Sequence, residues 1–130
     1  MIGAAIYSIL SGATGVTNLI STRIYPDIAP QNAAYPFVLY SIEGTDPSDT
    51  KDGASSLDVV EFTVTVFSES YDNMTSIASA VRTALDAKAP GTYSGITLQS
   101  IRFAGQQSMR MDVGKHVYVI EQTYNARHQR

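Results

Sequence analysis

Strict alternation of apolar and polar side chains over residues 60–66, within a predicted strand at 57–68, is the feature that most limits what this chain can fold into. The apolar positions are Val60, Phe62, Val64 and Val66, and the polar positions between them are Glu61, Thr63 and Thr65. Because successive side chains of an extended backbone point to opposite faces, this period of two predicts a β-strand. One face of that strand must meet a core, and the other is polar enough to meet water or a partner.

Residues 71–89 carry the clearest helical pattern and supply a layer to cover the apolar face. The apolar residues at steps of three and four are Met74, Ile77, Ala78, Val81 and Leu85. They form one stripe along a helix, with polar residues on the opposite side. Ser70 or Asp72 can cap the start, and Pro90 with Gly91 ends the helix.

The other periodic segments are shorter. The sequence predicts a helix at 2–11 with Gly12 as its C-cap, a helical turn at 16–20, and strands at 36–43, 96–104 and 116–124. A switch of apolar phase within 96–104 predicts a β-bulge near Gln99 or Ser100.

Three polar stretches are predicted to lie outside the layers. Residues 44–56 are predicted to form an exposed loop, because their composition cannot cover a core. Residues 105–114 are predicted to be a polar hairpin connection and residues 125–130 a frayed tail. The whole pattern predicts one α+β domain over 1–130 with two layers, in which a mainly antiparallel sheet of about four strands carries one long helix on one face and a short N-terminal helix.

Composition and charge argue against several classes of function. The 130 residues carry a net charge of −3, which argues against a protein that holds DNA or RNA on a basic face. Cysteine is absent, so the chain has neither a disulfide framework nor a thiol nucleophile. The uncharged segment 1–22 lacks the basic start of a signal peptide, and its glycines and serines interrupt any membrane span.

Residue patterns for metal binding are weak. His116 and His128 have no second ligand at metal-binding spacing in the sequence. Asp46, Asp49 and Asp52 lie three residues apart, whereas an EF-hand calcium loop needs acids at alternate positions. We therefore expect no metal and no cofactor, and the aspartates are interpreted as solvated loop residues.

Residue patterns for catalysis are equally weak. A carboxylate pair of Glu61 and Glu121 is conceivable because both lie on predicted strands. Alternation places them on an exposed face, however, without the apolar pocket that perturbs a catalytic acid. The sequence predicts no catalytic residues and a protein that is not an enzyme.

The sequence favours surfaces for contact with other proteins over a catalytic or metal site. Eight tyrosines and no tryptophan are present, and tyrosine is frequent both at protein interfaces and in β-strands. The segment Met109-Arg110-Met111 is either an adaptable contact loop or a hairpin tip folded back onto the core. The candidate interface residues are Asp46, Asp49, Asp52, Met109, Arg110, Met111, Glu61, Thr63 and Thr65.

A series of short motifs in a fixed order resembles a known family. The motifs are Arg23-Ile24-Tyr25-Pro26, Ala29-Pro30-Gln31, Tyr35-Pro36-Phe37-Val38-Leu39-Tyr40, Asp52-Gly53, Phe62-Thr63-Val64-Thr65-Val66-Phe67, Tyr71 and Ala80-Val81-Arg82-Thr83-Ala84-Leu85. Their order and spacing resemble the tail-completion, or tail-terminator, proteins of long-tailed bacteriophages and gene transfer agents. The resemblance covers residues 2–90, and beyond Gly91 it extends only to length and strand pattern.

The resemblance implies a structural role at the junction of head and tail in the virion. Such a subunit would cap the tail tube, end its polymerisation and join it to the head, usually as a six-fold ring assembled in the cytoplasm of the bacterial host. The implied partners are further copies of the chain, the tail tube protein and a head-completion or connector protein. DNA would pass through the ring without being held, and no membrane is implied.

Two other classes of function remain open at this stage. One is a different binding module of similar fold, such as another phage neck, minor capsid or head-closure component, or a host-directed accessory protein. The other is a small enzyme, which should show convergent polar groups in an apolar pocket.

Overall fold

The computed structural model describes residues 2–30, 33–50, 53–86, 91–112 and 116–129, and it describes 45–50, 53–57, 109–112, 116 and 129 by their backbone alone. Three helices and six strands follow one another along these ranges. In chain order they are α1 (Ile2–Gly12), α2 (Thr14–Ile20), β1 (Ile24–Pro26), β2 (Phe37–Thr50), β3 (Gly53–Ser68), α3 (Tyr71–Asp86), β4 (Gly91–Tyr93), β5 (Ile96–Asp112) and β6 (His116–Gln129).

All six strands form one sheet, in the order β1-β2-β3-β6-β5-β4. The short strand β1 runs parallel to β2, and every other neighbouring pair is antiparallel. The four long strands β2, β3, β6 and β5 therefore alternate in direction across the middle of the sheet.

The helices cover one face of this sheet, and the core lies between the two layers. In β3 the alternation holds as predicted, because Val60, Phe62, Val64 and Val66 are all buried in this core. The stripe of α3 and the apolar positions of α1 face them. Full burial of each such aliphatic or aromatic side chain stabilises the fold by roughly 1.5–3 kcal/mol.

The prediction of about four strands and one long helix is right for the long elements and incomplete for the rest. The two additional strands, β1 and β4, have three residues each and lie at the two edges of the sheet. The predicted turn at 16–20 is the helix α2. Such short elements carry too few residues to show a period in the sequence.

The predicted loop at 44–56 is wrong over the part that the structure describes. β2 continues to Thr50, β3 begins at Gly53, and the two strands pair from Gly44 onwards. Backbone pairing extends this hairpin, and such pairing does not require apolar side chains, so composition does not reveal it. Residues 51 and 52 lie outside the described residues.

The predicted connection at 105–114 and the predicted frayed tail at 125–130 are also strand wherever the structure describes them. β5 continues to Asp112, and β6 continues to Gln129 between its two neighbours. Ala126 is fully buried within the part expected to fray. Two sheet partners fix this segment although only one of its side chains is aliphatic.

The bulge predicted near Gln99 is confirmed by a shift of register between Leu98 and Ser100.

The two long hairpins point away from opposite ends of the sheet. Where β3 and β6 pair, Leu57 lies opposite Gln129 and Ser68 lies opposite Tyr118. The hairpin between β2 and β3 therefore extends beyond the C-terminal end of β6. The hairpin between β5 and β6 extends beyond the C-terminal end of β3.

No single helix among the described residues is long and apolar enough to cross a membrane, and α1 and α2 would satisfy length and composition only as a pair bent by 80°.

Candidate interaction surfaces

The face of the sheet that the helices leave open, here called the outer face, is the largest candidate surface. Register and alternation place on it the side chains of Phe37, Leu39, Glu61, Thr63, Thr65, Phe67, Val119, Glu121, Thr123, Asn125 and Arg127. The predicted interface residues Glu61, Thr63 and Thr65 are thus together on one face. Glu61 is exposed and Thr65 half-buried, whereas Thr63 is buried.

One end of the outer face is aromatic and forms a second, smaller apolar cluster. The rings of Phe37 and Phe67 stack with centroids 4.8 Å apart. Tyr35 and Tyr25 lie 5.2 Å and 6.0 Å from Phe37 between ring centroids. Phe37 consequently has only 7% of its surface exposed although no helix covers it.

The middle of the outer face carries hydroxyl groups. The Thr63 hydroxyl donates a hydrogen bond of 2.9 Å to Oε1 of Glu43 on β2. This bond accounts for the burial of Thr63, because a buried hydroxyl needs a partner. The same bond holds the Glu43 carboxylate in place at the bulge of β2, which lies between Ile42 and Gly44.

The other end of the outer face is basic. An open hollow of about 560 Å³ is lined by Val59, Gln99, Ser100, Arg102, Asn125 and Arg127. Arg102 and Arg127 are both exposed, and neither forms an ion pair with a carboxylate that the structure describes. A net acidic chain thus presents two exposed guanidinium groups at one end of its sheet, where they could donate hydrogen bonds to a carboxylate or a phosphate.

The remaining predicted interface residues are placed by backbone only. Asp46 and Asp49 lie in β2, in the hairpin that extends past β6, and Asp52 lies outside the described residues. Met109-Arg110-Met111 lies in β5 opposite 117–119 of β6, in the other hairpin. The fold therefore separates the acidic and the methionine-containing candidates to opposite ends of the sheet.

A buried polar network joins the two layers, and the sequence interpretation missed it. Nε2 of Gln122 donates to the carbonyl oxygen of Ala78 in α3 at 3.1 Å and to Oε1 of Gln106 at 3.3 Å. The Tyr124 hydroxyl donates to Oε1 of Gln122 at 2.8 Å. The side chains of Gln122 and Tyr124 both lie on the core face of β6. A glutamine at a position where the alternation predicts an apolar residue is the sequence signal that could have revealed the network.

Aromatic and cationic contacts complete that network at the surface. The Tyr124 ring stacks on Phe62 at 5.3 Å and meets Phe103 edge-on at 5.5 Å. The Arg82 guanidinium lies 3.9 Å from the centre of the Phe103 ring and 3.6 Å from Asp86. Burial raises the pKa of Tyr124, so its phenol stays protonated and acts as a hydrogen-bond donor.

A family model described as "Tail completion protein gp17" matches residues 4–129. The chain belongs to this tail completion family. Membership assigns it a structural role in head-tail or tail assembly and places it in the virion. None of the curated proteins matches the chain significantly.

Solved structures support the same fold. A chain of the structure "Virion of native gene transfer agent (GTA) particle" superposes with a TM-score of 0.76 at 24% identity, covering 98% of this chain and 93% of that one. A second solved chain, without a descriptive name, has a TM-score of 0.59 at 16% identity and covers 96% and 92%. Identities this low show a shared fold.

In this tail completion protein, motifs that are apart in the sequence meet in one place. Arg23 donates from Nε to the carbonyl oxygen of Pro36 at 2.7 Å, which ties the first motif to the third. Tyr25, Tyr35 and Phe37 then form the aromatic cluster described above. The family motifs at this end of the chain therefore build the junction of β1 and β2.

Family membership favours a structural protein over an enzyme. In the part of the chain that the structure describes, no group of three or more histidine, aspartate or glutamate side chains is placed to hold a metal ion. The outer face offers shallow, open hollows lined by polar side chains, which suit contact with another macromolecule.

Proposed function

We propose that this chain is a tail terminator, which caps the tail tube, ends its polymerisation and provides the surface to which the filled head is joined. The observation that carries the proposal is the family match over residues 4–129, nearly the whole chain. The working form is a closed ring of six copies, in contact with the tail tube protein on one side and a head-completion or connector protein on the other.

Two features of the chain support a ring around passing DNA. Its net charge is −3, and a ring of acidic subunits would let DNA slide through rather than bind it. The open outer face also gives each subunit a broad surface without a helical cover. No step of this role requires catalysis.

Deletion of the gene in the phage or gene transfer agent that carries it tests the proposal, with particles inspected by electron microscopy. We expect DNA-filled heads separated from tails, and tails of irregular or excessive length. Supplying the natural chain in trans should restore joined particles of normal length. Normal joined particles after deletion would contradict the role, and joined particles that leak DNA would indicate head closure instead.

A further inference from the structure

Both sides of the sheet leave long runs of strand without a neighbour. β1 pairs only with 38–40 of β2, so the outer edge of β2 is open from Ser41 onwards. β4 pairs only with 96–98 of β5, so the outer edge of β5 is open from Gln99 onwards. No strand in the described part of the chain pairs with either edge. Unpaired N–H and C=O groups on an open edge are a template for another strand.

The open edge of β5 is weakly protected between Arg102 and Arg110, where the bulge at Ala104 is the one irregularity. Charged residues and proline are the usual protection, and the stretch 103–109 contains neither. Where the structure describes the side chains of this stretch, four of them are exposed: Ala104, Gln106, Gln107 and Ser108. An edge of this composition is suited to pairing with another chain.

The open edges of β2 and β5 match each other residue by residue. Following the register across the sheet, Ser41 lies level with Thr63, Thr123 and Gly105. Likewise, Asp46 lies level with Ser100 at the other edge. Segments 41–46 and 100–105 therefore have the same length and lie at the same height on opposite sides of the sheet.

The irregularities of the two segments also lie at nearly the same height. β2 has a bulge at Glu43, between Ile42 and Gly44, and β5 has one at Ala104, between Phe103 and Gly105. A bulge bends its strand locally, so the two edges bend within one residue of each other. A Cβ at Gly44 would meet open space among the described residues, so the edge at the bulge of β2 is accessible to another backbone.

Strand direction permits the two edges to meet around a ring. The long strands alternate in direction and are even in number, so β5 and β2 run antiparallel to each other. A rotation about an axis along the strands keeps each direction, and it places β5 of one copy antiparallel to β2 of the next. Charge agrees, because 41–46 contains Glu43 and Asp46 but no base, and 100–105 contains Arg102 but no acid.

We propose that segment 100–105 of β5 pairs antiparallel with segment 41–46 of β2 in a second copy of this chain, so that one sheet continues from subunit to subunit. The proposed pairing involves six residues of each strand, which is the length of an ordinary β-strand. The contact joins unlike edges and is therefore head-to-tail, the kind that closes into a ring. The inference rests on the proposed function, in that it names the surface by which the ring subunits meet.

Cysteine cross-linking tests this pairing cleanly, because the chain has no cysteine of its own. The variant S41C/A104C places thiols on the two edges, where paired strands bring them close enough for a short bis-maleimide. We expect a ladder of covalent oligomers up to a closed ring, both in concentrated purified protein and in particles assembled with the variant. The matched control S41C/S79C, with the second thiol on the exposed side of α3, should give no ladder.

Two results would overturn the pairing. One is the absence of the ladder in both settings. The other is efficient dimer formation by A104C alone, which would mean that two β5 edges pair with each other. Tail length separates this test from that of the proposed function. Normal tails in particles that show no cross-linked oligomers overturn the pairing alone. Cross-linked oligomers in particles made with the variant, together with normal tails in the separate gene-deletion strain, overturn the capping role alone.

Charge reversal gives a second measurement that does not depend on thiols. R102E or E43R alone places like charges on facing strands and should raise the concentration at half-assembly about fivefold, the equivalent of about 1 kcal/mol. The double variant E43R/R102E should recover most of that loss. Equal assembly of all three variants would contradict the pairing.

Discussion

Tyr124 and Gln122 join the helical layer to the sheet through groups that are fully shielded from water. Tyr124 is 0% exposed and Gln122 is 1% exposed. The Tyr124 hydroxyl donates to the Gln122 carbonyl oxygen, and the Gln122 amide donates to the backbone of α3. Removing one member leaves the other buried without its partner, which costs more than the bond itself contributes.

The first prediction at the scale of the residue is that Y124F lowers the free energy of unfolding by about 1–3 kcal/mol, because the Gln122 carbonyl loses its donor. Urea denaturation followed by circular dichroism measures the change. The control is Y118F, which removes the hydroxyl of a half-buried tyrosine whose ring packs on Tyr71. Equal losses in the two variants would contradict a special role for the network.

The second prediction concerns alkaline pH. Burial raises the pKa of Tyr124, and burial with the nearby Tyr7 and Asp27 raises that of Tyr40. Above about pH 10 the unfolded chain loses these protons and the folded chain keeps them, so stability falls as pH rises, by up to about 1.4 kcal/mol per pH unit for the buried Tyr124 and by less for the more exposed Tyr40. We expect Y124F to show a shallower decline than the natural chain when unfolding is measured from pH 8 to 11. Parallel curves would show that Tyr124 does not contribute.

The third prediction tests the aromatic end of the outer face. F37A should lower the free energy of unfolding by about 3–5 kcal/mol, as expected for loss of a buried phenylalanine. I28A is the matched control, because Ile28 is 80% exposed and its truncation should cost little. If F37A costs no more than I28A in urea denaturation, the outer face has no apolar cluster of its own.

At the scale of the element, the β2–β3 hairpin can be shortened without touching the core. Beyond Leu57 and Gln129, this hairpin pairs only with itself. Replacing residues 49–56 with Asn-Gly makes a two-residue turn between Ser48 and Leu57, which face each other in the register. We expect nearly unchanged stability but loss of tail capping, measured as tail length by electron microscopy. A shortened chain that caps normally would show that the hairpin makes no essential contact.

The elements that the sequence predicted well are those whose side chains face two environments. β3 and α3 each have one apolar side and one polar side, so their periods of two and of three to four could be recognised directly. The ends of β2, β5 and β6 could not, because there the backbone pairing continues while apolar and polar residue types no longer alternate in the sequence. Residues 44–50 and 125–129 were predicted as loop and tail for this reason.

The surfaces were less predictable than the elements. Glu61, Thr63 and Thr65 share the outer face because one strand carries them, and alternation predicted that. The hollow between Arg102 and Arg127 joins two strands whose register depends on a bulge at Gln99. An interface role for any of these residues stays a prediction. The Gln122 network depends on contacts between residues 44 positions apart, which no local pattern encodes.

At the scale of the whole molecule, the acidic balance predicts that the purified chain does not hold DNA. We expect no retardation of duplex DNA in a gel at about 0.15 M salt, because few phosphates could be neutralised. The variant E61K/E121K replaces two negative charges with positive ones on the outer face, which also carries Arg102 and Arg127, and it should retard DNA. Retardation by the natural chain would contradict free passage of DNA.

The opposite directions of the two hairpins give the molecule a polarity along its strands. The hairpin of β2 and β3 is acidic, with three aspartates and one lysine in 44–56, and that of β5 and β6 carries two bases and one acid in 109–115. If the subunits stand with their strands along the axis of a ring, every β2–β3 hairpin extends toward one rim and every β5–β6 hairpin toward the other. Such a ring could not be inverted without exchanging the charge that it presents to each neighbour. An adaptor between two unlike structures needs that asymmetry, and here a single sheet would supply it.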